Sequence, residues 1–184
     1  MKPWTRIDPT AVNKLSYRTI IAKTFRLPDG SIREFGTKDE EGSEAVGVIA
    51  LTESNQVVIV RLFRPGPEQV MEEIPGGGME AGETPLQAAA RELQEETGYQ
   101  GTFTYLGEVK YDAYTNTRRH YVMATGCART TTGQKLDHEE RSLEVVMISI
   151  ETLIANARAG RMTDPGAVLL AYDILRKMQG TRQS

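Results

Sequence analysis

Cysteine occurs once and histidine twice among the 184 residues of this chain. The lone thiol, Cys127, has no partner for an internal disulfide or a thiolate zinc site, and on an apolar strand it reads as a small buried side chain. No apolar stretch approaches the roughly 20 residues that a membrane-spanning helix needs. No charged-then-apolar leader is recognisable either, so the expectation is a cytoplasmic protein with no membrane partner. Basic runs are also missing. Nothing exceeds the Arg118-Arg119 pair, and a formal charge of −3 at pH 7 argues against bulk nucleic-acid binding while leaving small phosphorylated ligands open. A phosphate loop ending in Gly-Lys-Ser/Thr is absent, as are internal repeats and low-complexity segments. At 39% hydrophobic residues, the length suffices for one good core.

What the chain does have is an acidic helix with clear ends. Thr84 can cap it, Pro85 suits the first helical position, Gln87 completes a capping box, and Gly98 supplies a left-handed stop. At about 100° per residue, Leu86, Ala89, Ala90 and Leu93 form one stripe. Glu92, Glu95 and Glu96 fall in the adjacent arc, which is expected to face outward. Like charges three and four residues apart destabilise a helix by roughly 0.2–0.5 kcal/mol per pair, so a purely structural surface favours alternating signs. Only Arg91 offers a local counter-charge. Clustered carboxylates are hard oxygen ligands that suit Mg²⁺, with Mn²⁺ as a substitute, and leave coordination positions for water and phosphate oxygens. The alternative is a solvated acidic face.

Ahead of this helix, Ile74-Pro75-Gly76-Gly77-Gly78 permits positive φ and close backbone approach to a ligand. Gly77, Glu83, Arg91, Glu92, Leu93, Glu95, Glu96 and Gly98 resemble, position for position, the signature of the Nudix hydrolases. Only its last position departs, with Tyr99 in place of an aliphatic residue. The likeness extends to the Arg61-to-Gly66 run and Met162-Thr163-Asp164, features similar to the ADP-ribose and nucleotide-sugar pyrophosphatase branch. One departure is Ala113-Tyr114-Thr115-Asn116-Thr117, where members devoted to ADP-ribose often carry a proline.

Along the chain, residues 17–27 and 31–37 read as a hairpin around Pro28-Asp29-Gly30, followed by a charged connection with a boundary near Ser43. Further strands are expected at 45–51, 57–63, 103–111, 121–127 and 144–149. Two closing helices start after Ser149 and Asp164 and stop at Gly160 and Gly180. The resemblance implies an α/β (α+β) Nudix fold: a mixed β-sheet sandwiched between α-helices over residues 44–184. It also implies an N-terminal antiparallel β-hairpin module, residues 1–43, that serves a homodimer interface and reaches the nucleotide site.

The implied reaction is Mg²⁺-dependent hydrolysis of a nucleoside diphosphate linked to a sugar, foremost ADP-ribose to AMP and ribose 5-phosphate. Another nucleotide sugar, a dinucleotide, or a non-catalytic nucleotide-sugar sensor are the alternatives. By the same resemblance Glu92 and Glu96 hold the metal with the Gly76 carbonyl, Glu95 supports them, Arg91 orients a glutamate, and Glu83 acts near the helix start. The base belongs on a late loop. Asp137-His138-Glu139-Glu140 is the matching stretch, with Glu139 or Glu140 ahead of His138. For substrate contacts Arg64 offers planar donors, one of Glu72 and Glu73 faces the pocket, and Arg118 with Arg119 and His120 either meets phosphate from a loop or is solvated. Trp4, Tyr17 and Phe25 either stack on a base or simply pack.

Overall fold

The computed structural model describes residues 2–15, 18–136 and 141–180. The chain divides into two units, one of residues 1–44 with 110–118, the other of 45–109 with 119–184. In the first, β1 (Thr5–Leu15), β2 (Arg18–Arg26) and β3 (Ile32–Lys38) form an antiparallel sheet in that order. The expected hairpin is β2 and β3, and β1 makes it a three-stranded sheet. Its sequence hides it: Pro9 brings no N–H, and the pairing register shifts between Ile7 and Ala11, so the period of two is broken midway. Residues 110–118 dock here too, through Lys38 N–H to the Tyr114 carbonyl (2.7 Å) and Asn116 N–H to the Lys38 carbonyl (2.9 Å). The Asp39 carboxylate ties this segment down by accepting from Thr115, Thr117 and Arg18. Burial pushes that carboxyl up, but these hydrogen bonds outweigh it and hold it below its usual range.

The second unit is built on a six-stranded sheet. Its strands are β4 (Glu44–Thr52), β5 (Gln56–Arg64), β6 (Gln69–Glu73), β7 (Tyr99–Val109), β8 (Arg118–Arg129) and β9 (Glu144–Ser149). The order is β6-β5-β4-β8-β7, with β9 also paired to β5. Three helices pack on it: α1 (Pro85–Thr97), α2 (Ile150–Arg158) and α3 (Pro165–Gly180). The strand period of two divides the core. Val46, Val48 and Ala50 of β4, Val58 of β5, and Val122 and Ala124 of β8 gather with Ala88, Ala89 and Leu93 of α1. Their neighbours Ile49, Leu51, Val57, Ile59, Tyr121 and Met123 gather instead with Leu153 of α2 and Val168, Ala171 and Leu175 of α3. The sheet thus lies between helices, as expected, and its central strands are apolar on both faces. Truncating Leu93 or Leu153, both about fully buried, costs roughly 2–5 kcal/mol by lost burial and the cavity left.

The helix signals hold. Thr84 Oγ1 accepts from Gln87 N–H while Gln87 Oε1 accepts from Thr84 N–H, and Gly98 adopts φ 71°. Ser149 caps α2 through Thr152 N–H, and α3 opens at Pro165. Two expectations shift. β7 starts at Tyr99 directly after the helix stop and ends at Val109, before the expected Tyr111. β8 begins at Arg118, so Arg118, Arg119 and His120 stand on a strand and not on a loop. The unexpected β6 pairs Gln69–Glu73 with Arg64–Val60, where the acidic Glu72 and Glu73 find arginine partners across the ladder.

Candidate active site

β6 runs directly into Ile74-Pro75-Gly76-Gly77-Gly78, and this turn lies beside α1 within the second unit. Gly76 donates its N–H to Glu96 Oε2 at 2.8 Å. A Cβ at Gly77 would meet the Glu92 carboxylate at 2.6–2.9 Å, so the missing side chain is what lets that carboxylate lie against the turn. Val46 N–H to the Gly77 carbonyl and Val48 N–H to the Pro75 carbonyl pin the turn to β4. The expected outward arc is corrected here: Glu92 and Glu96 are buried, 8% and 4% exposed, and Glu95 is partly so. Conversely Leu86 is exposed, while Ala88 takes its place in the packed face. Alanines at 88 and 89 bring α1 close enough to the sheet to draw the flanking glutamates in.

Arg91 organises these acids. Its Nε donates to Glu83 (2.8 Å), NH1 to Glu92 (2.8 Å) and Glu95 (3.1 Å), and NH2 to Glu83 (3.0 Å) and the Gly78 carbonyl (2.9 Å). The hydrogen bond from Arg91 holds the Glu83 carboxyl below its usual range, and Glu83 in turn raises the guanidinium, against the opposing effect of burial. Arg91 is therefore charged at every working pH. Glu83 also accepts from Glu80 N–H ahead of the helix, consistent with a structural part in closing the turn.

Among the described residues no three histidine, cysteine or acidic side chains are gathered as a ready metal-holding group. The donor set nevertheless fits a hard divalent cation. Carboxylate oxygens of Glu92, Glu95 and Glu96 and main-chain carbonyls of the glycine turn are all oxygen ligands, and Gly77 leaves Glu92 an approach that any larger residue would fill.

Other expected residues are engaged elsewhere. Arg64, the last residue of β5, donates from Nε and NH2 to the two oxygens of Glu73 at 2.8 and 2.6 Å. Glu72 accepts from Arg61 and from Asn156, and Asn156 accepts from Arg161, so Glu72 belongs to a network reaching α2 and the residues after it. Arg119 and Tyr121 both donate to the buried Asp164 at the start of α3, and His120 is buried with its Nδ1 2.9 Å from the Tyr105 hydroxyl. Arg118 and Trp4 belong to the first unit. Arg118 pairs with Glu44, and Trp4 stacks on Phe35 (5.3 Å between centroids) with Phe25 edge-on. Of the three aromatics considered for base stacking, Trp4 and Phe25 thus pack together. Tyr17, Asp137, His138, Glu139 and Glu140 lie outside the described residues.

One part of the site carries no sequence motif. Residues 130–136 dock on the last turn of α1: Lys135 N–H bonds the Glu95 carbonyl (2.8 Å), Gln134 Nε2 the Glu96 carbonyl (2.7 Å), and Gln94 Nε2 the Gly133 carbonyl (2.8 Å). They satisfy carbonyls that a helix end leaves without partners. Their polar, loop-like composition offers no periodicity from which to find them.

Comparison with known proteins agrees with this geometry. The family model described as the NUDIX domain matches residues 43–166. A methanol dehydrogenase activator from Bacillus methanolicus is 29% identical over 127 residues, 68% of each chain. An ADP-ribose pyrophosphatase from Bacillus subtilis is 47% identical over 80 residues, which span 44% of this chain and 42% of that relative. The crystal structure of an ADP compounds hydrolase superposes with a TM-score of 0.77 over 97% of both chains at 19% identity, a likeness of fold. With Glu83, Glu92 and Glu95 gathered around Arg91, Glu96 held by the glycine turn, and the family model spanning most of its length, the chain belongs to the Nudix hydrolase family.

Proposed function

We propose that the protein hydrolyses the diphosphate bond of a nucleoside diphosphate linked to a sugar, with ADP-ribose the foremost substrate, giving AMP and ribose 5-phosphate. The observation that carries this reading is the intact set of Glu92, Glu95 and Glu96 against a glycine turn, the first two oriented by the Arg91 guanidinium and the third by the Gly76 N–H. The relative named as an ADP-ribose pyrophosphatase supports it. Nudix hydrolases generally use a divalent metal; here Glu92, Glu96 and the Gly76 carbonyl would hold it, Mg²⁺ by preference, with Glu95 in support. When bound, such a cation neutralises the diphosphate and stabilises charge developing on the leaving oxygen.

The chain's own residues do the rest. Arg91 holds Glu92 and Glu95 in place, so that no side-chain freedom is lost when substrate arrives. The Gly76 N–H fixes Glu96. A carboxylate late in the chain, Glu139 or Glu140, takes the proton of the attacking water as its oxygen bonds to phosphorus and the phosphoanhydride bond opens. Substrate contacts from Arg64, Glu72, Arg118 and Trp4, a homodimer formed through residues 1–43, and a cytoplasmic location belong to the same proposal.

The test is a substrate panel. Purified protein with Mg²⁺ and ADP-ribose, GDP-mannose, ADP-glucose, NADH and dATP should release a nucleoside monophosphate from at least one diphosphate-linked compound, ADP-ribose fastest. Turnover of none of them would refute the reading. The second reading is a regulatory role on a partner enzyme, favoured by the relative named as a methanol dehydrogenase activator, whose match covers 68% of both chains. It would show as stimulation of a dehydrogenase with no loss when Glu96 is neutralised.

A further inference from the structure

A diphosphate must approach a site in which Glu83, Glu92, Glu95 and Glu96 outnumber the cations beside them. Repulsion between like charges a few ångströms apart is large away from bulk water, so cationic donors are needed besides a metal. Arg91 cannot be that donor. All three of its nitrogens are bonded to Glu83, Glu92, Glu95 and the Gly78 carbonyl, and freeing them would release the acids that it orients.

Lys135 is differently placed. Its backbone N–H is fixed to the Glu95 carbonyl, and the flanking chain is clamped by Gln134 to the Glu96 carbonyl and by Gln94 to Thr130 and Gly133. Its ammonium, on a side chain 87% exposed, lies 3.6 Å from Glu95 Oε1. A lysine serving only to pair with Glu95 would close to about 2.7–2.9 Å. At 3.6 Å the two attract without a hydrogen bond, and Nζ has no other acceptor among the described residues. The root is held and the charged head keeps its donors.

We propose that Lys135 is a substrate-binding residue whose ammonium takes a non-bridging oxygen of the diphosphate, with Gln94 and Gln134 as positioning residues that hold it at the acidic helix. This inference rests on the function proposed above, since it names a contact to that diphosphate. The attraction of Glu95 keeps the head over the site before substrate arrives, and the phosphate oxygen then competes for the donors that Glu95 leaves unused.

The experiment combines kinetics with binding. For ADP-ribose with Mg²⁺, Lys135→Ala should raise KM about tenfold with kcat within about threefold, the effect of losing one charged hydrogen bond. Lys135→Arg should restore most of the affinity. Gln94→Ala, which keeps the lysine but loosens its anchor, should raise KM as well. Calorimetric titration of wild type and Lys135→Ala with magnesium pyrophosphate should show a matching tenfold weakening, with unchanged melting temperatures. An unaltered KM and pyrophosphate affinity in Lys135→Ala would overturn the assignment. So would a fall in kcat with KM unaltered, because Lys135 would then act on the chemical step and not on substrate binding. If wild type hydrolyses no diphosphate yet its pyrophosphate affinity still depends on Lys135, the proposed function fails and the phosphate site stands. Turnover of ADP-ribose indifferent to Lys135 fails the inference alone.

Discussion

Replacing Gly77 by alanine puts a methyl group where the Glu92 carboxylate now lies. The added carbon would stand 2.6, 2.8 and 2.9 Å from Glu92 Oε1, Cδ and Oε2. Ordinary contact begins near 3.4 Å, so the carboxylate must retreat by about 0.5–0.8 Å. The far end of a side chain can do this while the fold survives, and the stability loss should stay near 1 kcal/mol or below, a shift of about 2–4 °C. Chemistry tolerates such a displacement poorly, since a misplacement of about 1 Å can cost 10²-fold. Gly77→Ala should therefore lose about 10–10²-fold in kcat/KM, about 1.4–2.8 kcal/mol, and require more Mg²⁺ for half-maximal rate. Gly76→Ala is the control. There φ is 157° and the new carbon would strike the Val46 carbonyl oxygen and sit 2.9 Å from Gly47 Cα, backbone atoms that cannot step aside. That variant should lose stability by about 1–3 kcal/mol or more. Steady-state kinetics with Mg²⁺ titration and thermal melts on both proteins decide the matter. A folded Gly77→Ala with wild-type kcat/KM and metal dependence would refute the placement of Glu92 at the reacting centre.

Glu92→Gln and Glu96→Gln should each lower kcat by about 10²–10⁴-fold, and excess chelator should abolish turnover of the wild type; full activity under chelation would remove the metal from the reading. Glu139→Gln or Glu140→Gln should depress kcat by about 10²–10⁴-fold with metal affinity nearly unchanged and partial recovery as pH rises, whereas wild-type kcat in both would move the base elsewhere, with Glu95 or His138 next. Burial pushes the Cys127 thiol up to about 11 from 9.0. The folded chain therefore keeps a proton that the unfolded chain sheds between those values, and stability should fall as pH rises from 9 toward 11. Cys127→Ala should lack that portion of the slope in denaturant melts at pH 8 and 10. Deleting residues 1–37 should weaken the dimer and raise KM; light scattering that finds an unaltered dimer, with unaltered kinetics, would contradict the assembly proposal.

The ends of α1 were legible because capping chemistry is local: Thr84, Gln87 and Gly98 each act within four residues. The signature residues were legible as a set, yet their burial was not. Which flank of a helix sinks into the protein depends on how closely it approaches the sheet, and Ala88 and Ala89 decide that in three dimensions. β1 and β6 escaped notice for different reasons, the first because Pro9 interrupts its period, the second because Glu72 and Glu73 read as polar until Arg61 and Arg64 stand across from them. The docking of 130–136 onto the last turn of α1 is made of main-chain and amide contacts. Such contacts leave no pattern of residue types, and so Lys135 carried no signal.

Ala88 and Ala89, both without solvent exposure beneath α1, make the helix a lever. A valine at either position adds two carbons with nowhere to go, and the cheapest relief is to lift the whole helix off Val46 and Val48. Glu92, Glu95 and Glu96 then move together, while the fold keeps most of its burial. In a random-mutagenesis screen, substitutions at 46, 48, 88 and 89 should sort with the slow enzymes and not with the insoluble ones. The mutational footprint of the reaction thus extends through the helix to side chains that never meet substrate.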